Sequence, residues 1–243
     1  MLISVGKETT RACGTDQLCS GLGTGIEGGI HHMRLLWDDH DKENDDTWGV
    51  LLIDTKNVFN EGNRKMMMLV AKYEWPFGSH FLLNNYRNHS GLAMRGEFKK
   101  NVFIHSKKGQ TQGCSLAILE YGILLLPLIR RIKREFTSID SPCYADDGAA
   151  IGRLRDILIL FRRLCELGSA YEYLPEENKS ILIVRSRDNI NAENFRSESD
   201  SNFKITNGFR YLGSLMGKKI GDRMGRRKKK GLDNGSRASS GID

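Results

Sequence analysis

A continuous apolar run from Trp48 to Ile53 is followed at once by an acid, Asp54. The run does not alternate with polar residues, so it predicts a strand that is buried on both faces of a sheet. A carboxylate at the end of such a strand is a poor core residue and a good ligand for a hard cation. The run therefore predicts the centre of a sheet and marks one end of that sheet as a candidate metal site.

A second acidic feature is the pair Asp146-Asp147, which lies between short runs of small and apolar residues. Asp and Gly tolerate turn geometry, so residues 141–151 predict a tight β-hairpin with both acids at its turn. Adjacent carboxylates repel each other, and both stay ionised at neutral pH only beside a cation. Taken alone, an Asp-Asp pair more often belongs to an ordinary surface turn.

Apolar residues spaced three to four apart predict helices in five places. These cover residues 26–37, 60–74, 77–90, 116–132 and 154–165. Pro127 predicts a kink or a break in the fourth of them. Residues 91–106 predict a hairpin, residues 180–184 a strand, and residues 203–205 with 209–213 a terminal hairpin. Residues 185–202 are polar without periodicity and are expected to be loose, while residues 1–20 support no prediction.

This order of elements closes compactly as an α+β layer, an antiparallel sheet with helices packed on one face. In such a sheet the end of the strand at Asp54 can lie beside the hairpin that carries Asp146 and Asp147. Three carboxylates from distant segments would then converge on a site suited to Mg²⁺. Two such ions about 4 Å apart would activate a 3′-hydroxyl and stabilise a leaving pyrophosphate.

The charge of the chain suits a polyanionic partner without proving one. The net charge is +7, and residues 221–243 hold seven basic and three acidic residues. This stretch, with Arg226 to Lys230 at its centre, predicts a disordered basic arm that binds phosphates non-specifically. The longest apolar run, Ile123 to Ile129, is much shorter than the roughly 20 residues that span a bilayer, so no membrane partner is expected.

Cysteine usage and the N-terminal residues predict the compartment. The five cysteines show no pairing framework, so we expect an intracellular, reducing compartment, either nucleus or cytoplasm. The first residues do not resemble a signal peptide.

Two weaker patterns are set aside. Residues 23–28 match a dinucleotide-binding fingerprint, but no strand precedes them, and a helix is the better interpretation. Cys13, Cys19, His31 and His32 do not have the spacing of a zinc site.

Five short motifs follow one another in the chain. They are Ile53 to Asn60, with an aromatic five residues after the acid, then Gln112-Gly113, Tyr144-Ala145-Asp146-Asp147, Lys179, and Tyr211-Leu212-Gly213. In this order they resemble the four catalytic motifs and the primer-grip region of reverse transcriptases, most of all those of non-long-terminal-repeat retroelements. Tyr-Ala-Asp-Asp is the most specific of the five. The resemblance extends from about Gly14 to Gly217.

The resemblance implies a polymerase palm with partial helical fingers. Residues 1–47 would be partial fingers, residues 48–217 the palm with a fingers insertion, and residues 218–243 a basic tail. It implies that Asp54, Asp146 and Asp147 hold two Mg²⁺ ions, for which Mn²⁺ can substitute. Lys179 would lie near the leaving pyrophosphate as its acid. The nucleotide-binding residues that it implies are Phe59, which would reject a 2′-hydroxyl, Gln112, Gly113 and Tyr144.

The implied activity is synthesis of DNA on an RNA template, with a nucleic-acid primer and deoxynucleoside triphosphates as further partners. Relatives often have an acid where this chain has Asn60, and a proline soon after the glycine of the second motif. Only 53 residues precede Asp54, and little of the chain is left for a thumb after Gly217. A non-catalytic nucleic-acid-binding remnant therefore stays open, as does an RNA-templated RNA polymerase, against which Phe59 argues. The oligomeric state also stays open.

Overall fold

The computed structural model describes residues 2–20, 22–40, 47–56, 58–95, 101–111 and 114–217. The strands are β1 Trp48–Ile53, β2 Ser90–Arg95, β3 Asn101–Ser106, β4 Cys143–Tyr144, β5 Asp147–Arg153, β6 Ile181–Val184, β7 Lys204–Thr206, β8 Gly208–Tyr211 and β9 Ser214–Gly217. The helices are α1 Leu2–Cys13, α2 Gly25–Asp39, α3 Val58–Glu61, α4 Arg64–Glu74, α5 Pro76–Tyr86, α6 Ala117–Glu135, α7 Leu154–Gly168 and α8 Asn189–Glu198. Gln112, Gly113 and the predicted tail, residues 218–243, lie outside the described residues.

Strand β1 is the central strand of a five-stranded sheet in the order β4-β5-β1-β6-β7. It pairs with β5 on one side and β6 on the other, antiparallel in both cases. Its side chains alternate between two apolar clusters, because Leu51 and Ile53 join the larger one and Val50 and Leu52 the smaller. The prediction of a strand buried on both faces is confirmed, since each face has its own core to fill.

The larger cluster packs helices α4 to α7 against one face of the sheet. The smaller cluster covers the opposite face with Met33 of α2 and with Tyr211 and Met216 of the β8–β9 hairpin. Only β7 runs parallel to its neighbour in the sheet, β6. The predicted α+β fold, an antiparallel sheet with most of its helices on one face, is confirmed. In the part of the chain that the structure describes, no helix combines the length and apolar character needed to cross a membrane.

The helix predicted after Asn60 is in fact two helices. The break falls at Gly62, where a Cβ atom would lie only 3.0 Å from the side chain of Gln110. Asn63 then caps α4, because its side-chain oxygen accepts a hydrogen bond from the backbone N–H of Met66. Pro127 lies within α6, which continues to Glu135, so of the predicted kink or break the break does not occur.

Residues 185–217 are more ordered than their polar composition predicts. Residues 185–202 were expected to be loose, which is wrong, because α8 lies within them and Ala192 is fully buried. Glu193 and Arg196 pair across one turn of this helix at 2.6 Å. The predicted terminal hairpin is also wrong in part, because residues 204–206 join the main sheet and β8 pairs with β9 instead.

A buried polar network that no sequence pattern indicated ties the loop at residues 106–111 to three helices. Arg64, which is 6% exposed, donates from Nε to the carbonyl oxygen of Gly109 at 2.6 Å. Its guanidinium lies 4.9 Å from the centre of the Tyr86 ring. The Tyr86 hydroxyl in turn donates to a carboxylate oxygen of Glu120 at 2.8 Å. The loop that leads towards Gln112 is therefore anchored from α4, α5 and α6 together.

Replacing Tyr86 with Phe should test this network. The variant leaves the buried Glu120 carboxylate and the backbone N–H of Thr111 without the Tyr86 hydroxyl, which contacts them at 2.8 and 3.3 Å. We expect the free energy of unfolding to fall by about 1–3 kcal/mol in urea denaturation. The matched control is Tyr73→Phe, because Tyr73 is 71% exposed and should lose almost nothing. Equal stability of the two variants would contradict the network.

Candidate catalytic site

The pairing of β1 with β5 sets the position of the acids. The register runs from Trp48 opposite Arg153 to Ile53 opposite Gly148. Continued by one residue, it sets Asp54 opposite Asp147, so residues 93 positions apart in the chain become neighbours at one end of the sheet.

The hairpin that carries the acid pair differs slightly from its prediction. Asp147 is already the first residue of β5 and pairs with Tyr144 of β4. The turn therefore consists of Ala145 and Asp146, rather than of the two acids. Ala145 has φ +54°, and this left-handed conformation is typical of two-residue hairpin turns. Asp146 and Asp147 consequently project from a tight turn and from the first strand position after it.

The backbone of Asp54 is held by the loop that precedes β6. Its N–H donates to the hydroxyl oxygen of Ser180 at 3.1 Å, and its carbonyl oxygen accepts from the N–H of Glu176 at 2.9 Å. The Ser180 hydroxyl, which is fully buried, also donates to the carbonyl oxygen of Glu176. The end of β1 is thus fixed in place while the Asp54 side chain stays exposed.

The three carboxylates interact electrostatically. Partial burial raises the pKa of Asp146 above its ordinary value, and the charge of Asp54 raises it further. Loss of hydration also raises the pKa of Asp147, with the charges of Asp146 and then Asp54 adding to the effect. The end of the sheet is therefore an acidic surface that a cation would stabilise.

The side chains do not meet at one point in this conformation. Among the described residues, no three His, Cys, Asp or Glu side chains are arranged so that they could hold a metal ion. That applies to the three aspartates and equally to Cys13, Cys19, His31 and His32. Repulsion between like charges opposes convergence of the aspartates. Their oxygen donors and shared sheet end fit Mg²⁺, and the three side chains would have to come closer together to bind it jointly.

A cleft of about 130 Å³ is lined by two of the acids and by a predicted site residue, Lys179. Asp54, Asp147 and Lys179 line it, together with Arg210 and Tyr211 of the β8–β9 hairpin. The Lys179 ammonium donates to the Glu176 carboxylate, which raises the pKa of Lys179, and Asp54 adds to this shift. Lys179 is therefore a charged group on the same cleft as the acids.

Arg210 and Tyr211 line this cleft from the β8–β9 hairpin. Arg210 was not among the predicted site residues, because no sequence pattern separates it from an ordinary exposed strand residue. Tyr211, which the sequence places in the primer-grip-like motif, is 3% exposed, and its hydroxyl has no hydrogen-bond partner among the residues that the structure describes. A buried hydroxyl without a partner is unusual and adds a polar group beside the acids.

Two of the predicted nucleotide-binding residues, Tyr144 and Phe59, lie among the described residues. Tyr144 is half-buried and pairs with Asp147, and this burial raises its pKa. Phe59 is half-buried as well, with its ring centre 5.5 Å from that of the buried Tyr121. Its carbonyl oxygen accepts from the N–H of Gln110 at 2.8 Å, which attaches the loop leading to Gln112 beside Phe59. Phe59 thus packs on the core while staying half-buried.

Comparison of the sequence with protein-family models and with curated proteins found no match. Comparison with solved structures found telomerases. The telomerase of Candida albicans in complex with the TWJ fragment of telomeric RNA matches with a TM-score of 0.63 over 88% of this chain, at 9% identity. The apo telomerase of Candida tropicalis matches with a TM-score of 0.61 over 89%, at 13% identity. The chain has a reverse-transcriptase-like fold.

The match concerns only part of each telomerase. The chain covers 37% of the Candida albicans structure and 39% of the apo Candida tropicalis structure. At these identities the likeness shows the fold alone. Within a reverse-transcriptase-like fold, the sheet with its packed helices corresponds to the predicted palm.

Replacing Asp147 with Asn removes one of three repelling carboxylates. Because the pKa of Asp147 is raised in the fold, its charge costs stability once the pH rises through that pKa, and the cost is absent below the ordinary value of 3.8. We expect the free energy of unfolding at neutral pH to be higher in the variant than in the wild type. The increase should be at most about 1 kcal/mol, since the carboxylate is partly exposed and screened by solvent. Urea denaturation at several pH values measures this, and the gain should vanish at acid pH.

The control for this stabilisation is Asp140→Asn. Asp140 faces His32 at 3.2 Å instead of other carboxylates, so its neutralisation should give no gain. A gain of equal size in both variants would mean that general charge, and not repulsion within the acidic end of the sheet, is responsible.

Proposed function

We propose that this chain catalyses template-directed nucleotidyl transfer, the synthesis of DNA on an RNA template. The observation that carries the proposal is the position of Asp54, Asp146 and Asp147 at one end of the central sheet of a reverse-transcriptase-like fold. Mutual repulsion at that end favours a cation over an empty cluster of charges. A template-directed polymerase requires such a cation-binding end, whereas an ordinary surface turn does not.

In this proposal the three aspartates would hold two Mg²⁺ ions, or Mn²⁺ in their place. Bound there, the metal would lower the pKa of a primer hydroxyl and neutralise charge on the leaving pyrophosphate. Lys179, a cation on the same cleft, would donate a proton to that pyrophosphate. The accessible part of the Phe59 ring would lie under the sugar of the incoming nucleotide. Gln112, Gly113 and Tyr144 would complete the nucleotide site.

The partners follow from the same proposal. We propose an RNA template, a nucleic-acid primer and deoxynucleoside triphosphates, and an origin among non-long-terminal-repeat retroelements. The residues that make up the motifs support that origin, above all Tyr144-Ala145-Asp146-Asp147. One of the similar telomerase structures contains telomeric RNA, which supports an RNA partner for this fold.

Replacing Asp146 with Asn should abolish primer extension. The measurement is extension of a primer on a homopolymer RNA template, with Mg²⁺ and with Mn²⁺. We expect the rate to fall at least about 100-fold, because loss of a carboxylate removes several kcal/mol of metal-dependent stabilisation. Asp140→Asn is the matched control, since that side chain pairs with His32 and lies outside the hairpin turn that carries Asp146. Equal loss in both variants would contradict the assigned role of Asp146.

A non-catalytic nucleic-acid-binding protein is the second candidate. The specific observation in its favour is that the aspartate side chains do not converge among the described residues. Lys179 is also already paired with Glu176. A wild-type chain that binds a primer–template duplex but does not extend it with either metal would support this candidate and overturn the first.

Replacing Phe59 with Val should relax the choice of sugar. A ribonucleotide would bring its 2′-hydroxyl against an apolar ring, where it loses water without gaining a hydrogen bond. That loss is about 1–3 kcal/mol, so preference for deoxynucleotides should fall roughly ten- to a hundredfold in the variant. Extension with each nucleotide type measures it. Phe103→Val, on the exposed strand β3, is the matched control and should leave the preference unchanged.

Equal use of both nucleotide types by the wild type would contradict the role of Phe59 in rejecting a 2′-hydroxyl. It would instead favour the RNA-templated RNA polymerase.

A further inference from the structure

The turn that presents the acid pair has an unfavourable backbone. Ala145 has φ +54°, in the left-handed region that residues with a Cβ atom seldom adopt. It is also 2% exposed, so its peptide groups must find partners inside the protein. Something outside the turn must therefore stabilise this conformation.

The partner of Ala145 is a glutamine from a distant part of the chain. Gln17, which is fully buried, accepts the N–H of Ala145 on Oε1 at 2.9 Å. Its Nε2 donates to the carbonyl oxygen of Ala145 and to the Sγ of Cys143, each at 3.3 Å. One side-chain amide thus satisfies both backbone polar groups of the left-handed residue.

The segment that carries Gln17 is itself fixed to the body of the protein. The N–H of Leu18 donates to the carbonyl oxygen of Cys143 at 2.9 Å. Asp16 forms ion pairs with Arg130 at 2.9 Å and Lys133 at 3.1 Å, both on α6. Gln17 is therefore held between α6 and the β4–β5 hairpin, so that its amide is positioned before it meets Ala145.

We propose that Gln17 is a positioning residue that holds Ala145 in its left-handed conformation and thereby sets the directions of Asp146 and Asp147. Its structural role stands on these hydrogen bonds alone, while its effect on catalysis rests on the proposed function. Methionine has a similar shape to glutamine but cannot make either hydrogen bond. Gln17→Met therefore removes the interaction with little change in packing.

The direct test is amide hydrogen exchange of the full chain. In Gln17→Met the turn peptides covering residues 143–148 should exchange about ten times faster or more, because the N–H of Ala145 loses its acceptor. Peptides of β1 and α6 should keep the exchange rates of the wild type. Gln110→Met is the matched control, because Gln110 is also buried and its Nε2 donates to Met67 Sδ, away from the turn. Unchanged exchange at residues 143–148 in Gln17→Met would overturn the proposal.

A second measurement separates positioning from packing. Glycine adopts the left-handed conformation freely, so Ala145→Gly should partly replace the restraint that Gln17 supplies. Primer extension should fall about tenfold in Gln17→Met and recover in the double variant Gln17→Met, Ala145→Gly. Loss without recovery, or no loss despite faster exchange, would overturn the link between Gln17 and the acids.

The two proposals fail in different ways. If the wild type does not extend primers, the proposed function is wrong and the exchange measurement alone decides the role of Gln17. If Gln17→Met does not fold, Gln17→Leu replaces it, because leucine also lacks an acceptor for the N–H of Ala145 and a donor to its carbonyl oxygen. Unchanged exchange at residues 143–148 in that variant would equally overturn the proposal.

Discussion

The pairing of β1 with β5 is the interaction on which the candidate site depends. Six residue pairs, from Trp48 opposite Arg153 to Ile53 opposite Gly148, fix the register, and Asp54 and Asp147 follow from it. A slip of one residue would turn Val50 and Leu51 to the wrong clusters, so both cores oppose it. Burial of apolar side chains on two faces thus holds charged groups together that would otherwise move apart.

Much of this arrangement could be predicted from the sequence, because its causes are local. The apolar run before Asp54 predicts a central strand, and small residues around Asp146 predict a hairpin. Both follow from patterns within ten or so residues, and an α+β fold follows from their order. The roles assigned to Phe59 and Tyr144 came only through the resemblance, since no local pattern marks either one as a nucleotide-binding residue.

The parts that sequence analysis missed depend on contacts between distant residues. Gln17 lies in a segment without periodicity, and its importance appears only when Ala145 is beside it. Arg64 and Glu120 look like ordinary surface residues of amphipathic helices, but both are buried through their connection with Tyr86. Helix α8 was not predicted because most of its residues are polar and its buried side is small, at Ala192.

The hydrogen bonds that fix the acids also have a consequence for how the chain acquires its structure. Gln17 reaches Ala145 across 128 residues, and Asp54 reaches Ser180 across 126. Contacts of such long sequence separation form late, because the entropy of closing large loops must be overcome first. During synthesis on a ribosome, β1 emerges long before the loop that precedes β6. The hydrogen bond from Asp54 to Ser180 can form only after that loop has emerged. The acidic end of the sheet therefore cannot be completed before Ser180 has been synthesised.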